Sequence, residues 1–359
     1  MNRRRLLQGL SALPIVGCGS GVDTGADPSP FDSGSLPGTP QEAGFRMPAE
    51  WEAHDSCIMA FPTGSSWLKG RELDSARTEW ADTANAVAEF EPVTMVVNPG
   101  DDSTAQALLD SQIERIEIDI DDAWTRDTAP LVLVDDQGNR SCAAFGFNGW
   151  GEKQDYEKDA ALKHHLAEHL GLESWVIDAI LEGGAITVDG LGNCITTEQC
   201  LLEESRGLQD KGAWEQLQFE NLAVDKTIWL PSGIVPDPIT DGHVDGICVF
   251  VEPGTVMVSM TDYEPDPNYT ICQDAIAQLK AEGLEVIELL MGMKVLHINF
   301  YICNGGVVVP IAGSDREDDQ ALSQIRNFFS DRTVRTVEAI TINGLGGGIH
   351  CITQQVPSA

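Results

Sequence analysis

Cys351 is the residue of this sequence that is best placed to act as a nucleophile. It ends the run GGGIHC at 346–351, in which glycines precede the thiol. Glycine lets a backbone approach a ligand closely, and a thiolate attacks electrophilic carbon, so this run predicts a nucleophilic site. A buried, inert cysteine behind a tight turn is the alternative interpretation.

The segment GHVDG at 242–246 contains side chains that could move protons beside such a thiol. Alternate side chains of an extended segment share a face, so His243 and Asp245 are expected to point into the same space. Histidine is the side chain best suited to proton transfer near neutral pH. The carboxylate could orient the imidazole or bind a cation, and an ordinary polar strand end is the alternative.

A third cluster, DDAWTRD at 121–127, is suited to a planar cation. It places Asp121 and Asp127 on either side of Trp124. A guanidinium group donates two parallel hydrogen bonds to a carboxylate, and its charge is attracted to an aromatic face. A solvated acidic turn would also explain this cluster. Glu182, which precedes two glycines in LEGG, is a further candidate carboxylate.

These clusters lie at the edges of predicted strands, in a chain where strands and helices alternate. Apolar runs typical of strands occupy 56–62, 93–99, 129–135, 185–190, 246–254, 298–310 and 348–355. Helical spacing of apolar residues predicts helices over 72–90, 157–170 and 268–282. Short turns at 189–193 and 303–306 predict hairpins. The order indicates a mixed α/β domain, and repeating units of about sixty residues could close around a central cavity.

The charge of the chain limits its partners. A formal net charge of −35 makes binding to nucleic acid or to anionic lipid improbable and favours cationic ligands. A salty environment that screens self-repulsion would also explain so acidic a surface. The partner expected is therefore a small cationic molecule, and a homo-oligomer is left open.

The sequence gives little support for metal or disulfide chemistry. It contains no CxxC pair, so a structural zinc site is not expected. Several cysteines lie in apolar runs, so few or no disulfides are expected. The segment HLAEH at 165–169 matches the HxxEH pattern of inverted zinc peptidases. Its polar surroundings are more typical of a solvated helix.

Residues 1–18 are predicted to be a targeting signal. NRRRLLQ at 2–8 resembles a twin-arginine export signal, and IVGC at 15–18 resembles a lipobox, which predicts lipidation of Cys18. Residues 19–46, rich in Gly, Ser, Pro and Asp, are predicted to be a disordered tether. The catalytic domain is expected over 47–359, in a lipid-anchored protein exported to the cell envelope or periplasm.

Taken together, the long motifs of the chain resemble those of the agmatine deiminase family, which is grouped with the bacterial type of peptidyl-arginine deiminase. The resemblance covers nearly all of 47–357. It is carried by MPAEWEAHDSCIMAFP (47–62), DDAWTRDTAP (121–130), FNGWGEKQDYEKD (147–159), LEGGAITVDGLGNCITTEQCLL (181–202), WLPSGIVPDPITDGHVDGICVFVEPG (229–254), NFYICNGGVVVP (299–310) and GGGIHCITQQVP (346–357). It implies a five-bladed α/β propeller, the pentein fold of guanidine-modifying enzymes, in one catalytic domain without a metal or an organic cofactor.

The resemblance also implies the role of each catalytic residue. Cys351 would attack the guanidinium carbon and form an S-amidino intermediate, while His243 moves protons. Asp127 and Asp245 would hold the guanidinium nitrogens, and Glu182 would support the histidine. The residues expected to contact the substrate are Trp124, Asp121, Asn299 and Gly348.

The reaction implied is hydrolysis of agmatine to N-carbamoylputrescine and ammonia, a step of putrescine biosynthesis. Peptidyl arginine is the alternative substrate, and a guanidine-binding lipoprotein that does not need Cys351 is the alternative class. Four positions depart from the family pattern. Ala129 and Glu152 replace glycines, and Asp241 and Gly246 replace asparagines. We expect these departures to affect the choice of substrate more than the reaction.

Overall fold

The computed structural model describes residues 35–65, 68–313 and 316–359. The predicted signal and Cys18 lie outside the described residues. The strands are β1 Phe45–Arg46, β2 His54–Ala60, β3 Val93–Val97, β4 Glu114–Glu117, β5 Leu131–Asp135, β6 Arg140–Gly146, β7 Ser174–Ile180, β8 Ile186–Val188, β9 Asn193–Thr197, β10 Lys226–Leu230, β11 Cys248–Glu252, β12 Thr255–Met260, β13 Glu285–Leu290, β14 Tyr301–Cys303, β15 Gly306–Ile311, β16 Thr333–Glu338 and β17 Gln354–Pro357. The helices are α1 Gly70–Val87, α2 Asp102–Leu108, α3 Thr125–Thr128, α4 Gly149–Glu152, α5 Glu157–His169, α6 Glu198–Leu201, α7 Lys211–Leu222, α8 Pro267–Ala281, α9 Arg316–Phe328 and α10 Ile340–Gly344.

One structural unit is repeated five times in the described part of the chain, once for each of its five sheets. In each unit two antiparallel strands are followed by a helix and by a third strand parallel to the second, as in β8, β9, α7 and β10. The other units are β5-β6-α5-β7, β11-β12-α8-β13, β14-β15-α9-β16 and β17-β2-α1-β3. Because β17 pairs with β2, the last strand in the sequence completes the unit that also contains β2, α1 and β3. This is the five-fold α/β arrangement that the resemblance implies.

Burial on both faces explains the composition of the central strands. Strand β3 reads VTMVV and all its residues are buried, which is typical of a parallel strand covered on both sides. Helix α1 supplies one cover, since Ala76, Trp80 and Ala84 recur every four residues on its buried face. Helix α8 begins at Pro267 behind the capping side chain of Asp266, which accepts a hydrogen bond from the amide of Asn268.

Most predicted elements are confirmed, but two predicted strand segments are turns. The three predicted helices correspond to α1, α5 and α8, and both predicted hairpins are present. Around the catalytic motifs, however, Val244–Gly246 and His350–Ile352 form 3-10 turns rather than extended strands. Left-handed residues redirect the chain shortly before each turn, with φ of 86° at Gly242 and 101° at Gly346.

The predicted tether is too long at its C-terminal end. Residues 35–46 are folded, since β1 pairs with β5 and the amide of Leu36 donates to the carbonyl of Ser174. Phe45 packs edge to face on Trp175 with ring centroids 5.3 Å apart. A few apolar side chains therefore order a segment whose average composition is that of a linker. None of the helices in the described residues is long and apolar enough to cross a bilayer.

We predict that Trp80→Ala lowers the free energy of unfolding by about 3–5 kcal/mol, because it opens a large cavity in the core. Trp80 is 1% exposed, contacts Trp124 edge to face at 5.3 Å and donates from its indole to the carbonyl of Ala123. Urea unfolding measures the loss. Leu191→Ala, at a side chain that is 69% exposed, is the control and should change stability by less than about 0.5 kcal/mol. Equal losses in the two variants would contradict the prediction.

Candidate active site

The five repeats each contribute the turn that precedes their first strand, and these turns converge. Asp127 lies before β5, Glu182 before β8, and Asp245 before β11. Asn299 precedes β14 and Cys351 precedes β17. The structure thus confirms the hypothesis that units of about sixty residues bring their polar clusters to a common point.

The turns before β11, β14 and β17 line a cavity of about 1050 Å³, whose lining includes His243, Asp245, Asn299 and Cys351. Asp127 and Glu182 are buried next to these residues and are not among the described lining. Gly184 shows how closely the groups approach one another. A Cβ at this position would lie 2.6 Å from Nδ1 of His243, 3.0 Å from Oδ1 of Asp127 and 3.1 Å from Oδ2 of Asp245. Only glycine leaves room for these three atoms, so the LEGG sequence is required by the crowding around it.

Cys351 is held in the cavity wall by contacts on several sides. Its Sγ lies 3.4 Å from Oδ2 of Asp245 and 3.4 Å from Oδ1 of Asn299, and its backbone amide donates to the same Asn299 oxygen. A Cβ at Gly348 would lie 2.4 Å from that oxygen, so glycine is needed for Asn299 to reach the thiol.

The resting thiol is protonated at neutral pH. Although Cys351 is partly exposed to the cavity, the surrounding protein desolvates the sulfur, and this burial raises its pKa well above the usual value. The negative charges of Asp245 and Asp127 raise the pKa further, and the amide of Gly348 opposes the shift. A positive charge in the cavity would therefore favour the thiolate.

Asp127 is oriented by two hydrogen bonds that leave its charge buried. Its Oδ1 accepts from the amide of Gly184 at 2.9 Å and its Oδ2 accepts from the indole of Trp150 at 2.9 Å. Burial raises the pKa of Asp127, the neighbouring charge of Asp245 adds to this, and His243 opposes it. Trp150 adopts φ of 56°, which is strained for a bulky residue, and the strained conformation aims the indole at the carboxylate.

His243 lies among buried carboxylates that favour its protonated form. Its Nδ1 lies 3.9 Å from Oδ1 of Asp127. Burial alone would lower the pKa of His243, but the charge of Asp127 raises it well above the ordinary value, and Cys200 and then Glu182 add to this shift. His243 is therefore suited to donate a proton near neutral pH.

Glu182 is paired with a buried arginine that no sequence motif marks. Nε of Arg206 donates to Oε1 of Glu182 at 3.1 Å, and both side chains are fully buried. Arg206 also donates to Oδ2 of Asp241 at 2.5 Å and to the carbonyl of Thr240 at 3.1 Å. The departure at Asp241 thus supplies a second carboxylate to a buried guanidinium. In the sequence, Arg206 stands alone in an acidic run and carries no motif.

Two parts of the described chain contain side chains that could be metal ligands. Within the described residues, Glu182, Cys200 and His243 are the group whose potential ligand atoms lie within 4.8 Å of one another. The guanidinium of Arg206 is paired with Glu182, and its positive charge would repel a metal cation at this position. The HLAEH segment forms no such group in the described chain, and Nε2 of His169 lies 3.5 Å from Glu114 instead. The described donor geometry therefore does not favour the zinc peptidase interpretation.

The predicted substrate-contacting residues divide into two groups. Asn299 lines the cavity, and Gly348 packs against the side chain of Asn299. Trp124 packs beneath the catalytic turn, where a Cβ at Gly347 would lie 2.3 Å from its ring, so it supports the turn and is absent from the described lining of the cavity. Asp121 lines a separate cavity of about 380 Å³, and its carboxylate accepts from the amide of Lys158. Direct substrate contact by Trp124 and Asp121 is therefore not supported by the geometry.

We predict that iodoacetamide modifies Cys351 in the folded protein at a rate that keeps rising from neutral to alkaline pH. The reason is the raised pKa of this thiol. Asp245→Asn should accelerate the modification at neutral pH, because it removes a negative charge that disfavours the thiolate. Mass spectrometry of the peptides measures the rates. The seven buried cysteines of the described chain are internal controls, and their equal modification would contradict the prediction.

The sequence and the fold of this chain were compared with those of known proteins. The family model for Porphyromonas-type peptidyl-arginine deiminase matches residues 46–357. The agmatine deiminase of Pseudomonas aeruginosa (strain UCBPP-PA14) is 36% identical, over 89% of this chain and 97% of its own. That of Stutzerimonas stutzeri (strain A1501) is 35% identical, over 90% and 98%. The solved agmatine deiminase of Enterococcus faecalis superposes with a TM-score of 0.86 at 31% identity, covering 90% of this chain and 99% of that one. The chain therefore belongs to the Porphyromonas-type peptidyl-arginine deiminase family, the family of the agmatine deiminases.

Proposed function

We propose that this protein is a cysteine hydrolase that converts agmatine and water to N-carbamoylputrescine and ammonia. The observation that carries the proposal is the convergence of Asp127, His243 and Asp245 beside the Cys351 thiol. The similarity to agmatine deiminases along nearly the whole chain supports the choice of substrate.

Binding of the guanidinium would activate the nucleophile. Asp127 and Asp245 direct negative charge towards the same point, and each is destabilised by burial. A planar cation between them relieves their repulsion and is fixed by paired hydrogen bonds. Its positive charge also offsets the field that raises the pKa of Cys351, so the thiol releases its proton to solvent water and the thiolate forms when the substrate is present.

The first half of the reaction breaks a carbon–nitrogen bond. The thiolate sulfur of Cys351 bonds to the guanidinium carbon, and His243 donates its proton to the leaving nitrogen, which departs as ammonia. The S-amidino intermediate keeps the alkyl-substituted nitrogen of the substrate. His243 is left neutral and is able to accept a proton.

The second half restores the enzyme. Neutral His243 takes a proton from water, whose oxygen bonds to the amidino carbon. The carbon–sulfur bond then breaks with its electron pair on sulfur, which regenerates the thiolate of Cys351 beside the protonated imidazole. The product is a urea, and the proton that it releases converts ammonia to ammonium.

The cavity lining has more acidic than basic side chains. Besides Asp245 it includes Asp237, Asp262, Asp266 and Glu317 against Lys294 and Arg316, and this acidic excess would attract the primary amine of agmatine. Free arginine carries a carboxylate at that end, which the acidic excess would repel. Peptidyl arginine would place uncharged amides there, so the acidic lining favours agmatine over both.

We expect the full chain to release ammonia and a ureido product from agmatine, and to turn over free arginine or an arginine peptide far more slowly. Cys351→Ser should lower agmatine turnover by more than about 1,000-fold, because it removes the nucleophile. Ammonia release and chromatography of the ureido product measure both. Turnover of the peptide alone would assign the enzyme to peptidyl arginine, and turnover of no guanidine would favour a binding protein.

The pH dependence should report on the environment of His243. Its raised pKa keeps the proton donor loaded as pH rises, so activity is lost only as pH passes through that pKa. Glu182→Gln removes a charge that raises the pKa and should move the alkaline limb of kcat/KM to lower pH. Glu198→Gln, at a surface carboxylate paired with Lys211, is the control. An unchanged limb in Glu182→Gln would contradict this.

We also propose that the enzyme is exported and anchored to a membrane by a lipid on Cys18. The support is the sequence, with NRRRLLQ at 2–8 followed by IVGC at 15–18. The mass of the N-terminal peptide from a membrane fraction tests the proposal, with Cys18→Ser as the matched variant. A cytosolic protein with an intact N-terminus would refute it.

A further inference from the structure

We propose that His350 is a positioning residue of this site, which bridges Glu50 and Asp245 and thereby fixes the Asp245 carboxylate against the Cys351 thiol and the bound guanidinium. His350 and Glu50 lie in the motifs GGGIHCITQQVP and MPAEWEAHDSCIMAFP, and neither is among the catalytic residues that the family resemblance implies. The proposal rests on the proposed function for the identity of the substrate, but the positioning of Cys351 can be tested without it.

The bridge is a continuous set of short contacts. Nδ1 of His350 lies 2.9 Å from Oδ2 of Asp245, and its Nε2 lies 2.9 Å from Oε2 of Glu50. The same Asp245 oxygen is 3.4 Å from Sγ of Cys351. His350 therefore controls the oxygen that contacts the nucleophile.

The outer end of the bridge is fixed to the protein. Oε1 of Glu50 accepts from the backbone amide of Ile302 at 2.9 Å, and its Oε2 pairs with Nη2 of Arg126 at 3.1 Å. Arg126 in turn donates to the side-chain oxygen of Gln355 at 2.8 Å. The imidazole is thus anchored to a carboxylate that cannot itself swing away.

The charges along the bridge alternate, which makes the imidazole a cation. Arg126, Glu50, His350 and Asp245 are all buried, and these are the charged groups that face His350. Burial and Arg126 would lower the pKa of His350, but Glu50 and Asp245 raise it above its usual value. Burial would raise the pKa of Asp245, and the hydrogen bond and charge of His350 lower it. Asp245 therefore stays an anion beside the thiol.

A buried histidine could instead be purely structural, and His54 provides the matched comparison. His54 also bridges protein groups, with Nδ1 at 3.0 Å from Glu91 and Nε2 at 2.8 Å from the carbonyl of Glu50. Its contact with Glu50 is to the backbone carbonyl and not to the carboxylate that binds His350, and its side-chain contacts in the described structure include neither Asp245 nor Cys351. A variant at His54 thus measures the loss of a buried imidazole that leaves the Glu50 carboxylate, Asp245 and Cys351 with their own contacts.

The test compares two substitutions of His350, each of which preserves one of its two hydrogen bonds. His350→Asn keeps a donor near the place of Nδ1 and faces Asp245, whereas His350→Gln places its donor near Nε2 and faces Glu50. We expect His350→Gln to lower kcat/KM for agmatine by about 100-fold, and His350→Asn to lower it by no more than about tenfold. His54→Gln should change it by less than about threefold while lowering the melting temperature. Equal losses in the two His350 variants would overturn the proposal.

A double-mutant cycle with Asp245→Asn separates positioning from general damage. If His350 acts through Asp245, adding His350→Gln to Asp245→Asn should cost less than about threefold more in kcat/KM. A further loss of about 100-fold in that background would show that His350 acts by another route. Should His350→Gln fail to fold, Glu50→Gln replaces it. The pH profile of Cys351 alkylation should then move to higher pH, because His350 loses the anion that favours its charged form.

The rate of Cys351 alkylation keeps this proposal distinct from the proposed function. Without the cation at His350, the full charge of Asp245 faces the sulfur, so His350→Gln should shift the pH profile of iodoacetamide modification to higher pH. His54→Gln should leave that profile in place. If no guanidine is turned over but the profile shifts, the proposed function fails and the positioning role stands. An unchanged profile in folded His350→Gln would overturn the role.

Discussion

The balance of buried charge is the constraint on which the whole site depends. Carboxylates can remain ionised away from water only beside compensating cations, and the structure supplies one for each. The anions are Asp127, Asp245, Glu182 and Glu50, and the cations are His243, His350, Arg206 and Arg126. With the thiol protonated the set is balanced, and formation of the thiolate adds one anion. A guanidinium is the group that restores the balance, so the site is selective for a cation and reactive only when one is present.

The repeated fold explains how so many charges come together. The described hydrophobic core forms four clusters that are shared between neighbouring repeats, so the repeats are anchored to one another by apolar packing outside the polar centre. The turn before the first strand of each repeat then needs only to reach the common cavity. Tight packing fixes the turns against one another, as shown by Gly184 and Gly348, where a single methyl group would displace catalytic atoms. The cost of assembling the charges is met by the apolar packing around them.

The residues that orient the catalytic groups lie in the same repeats as those groups but at a distance along the chain. Trp150 reaches Asp127 and Arg206 reaches Glu182, across 23 and 24 positions of the chain. Glu50 reaches His350 across 300 positions. Such partners have no fixed spacing in the sequence, and their residue types are common, so no motif marks them. Their positions follow only from the way each repeat folds.

The sequence by itself determined the alternating α/β elements, the long helices and both hairpins, and it predicted the nucleophile, the histidine and three carboxylates that the structure brings together. It could do so because hydrophobic periodicity and turn residues are local, and because most of the candidate groups lie in or beside Gly-rich runs that local sequence records. Only the tertiary structure decided that 244–246 and 350–352 are 3-10 turns, that Trp124 packs against the turn at Gly347, and that Asp121 belongs to another cavity. Those outcomes depend on contacts between segments far apart in the chain, whose distances and charges are set when the five repeats pack together.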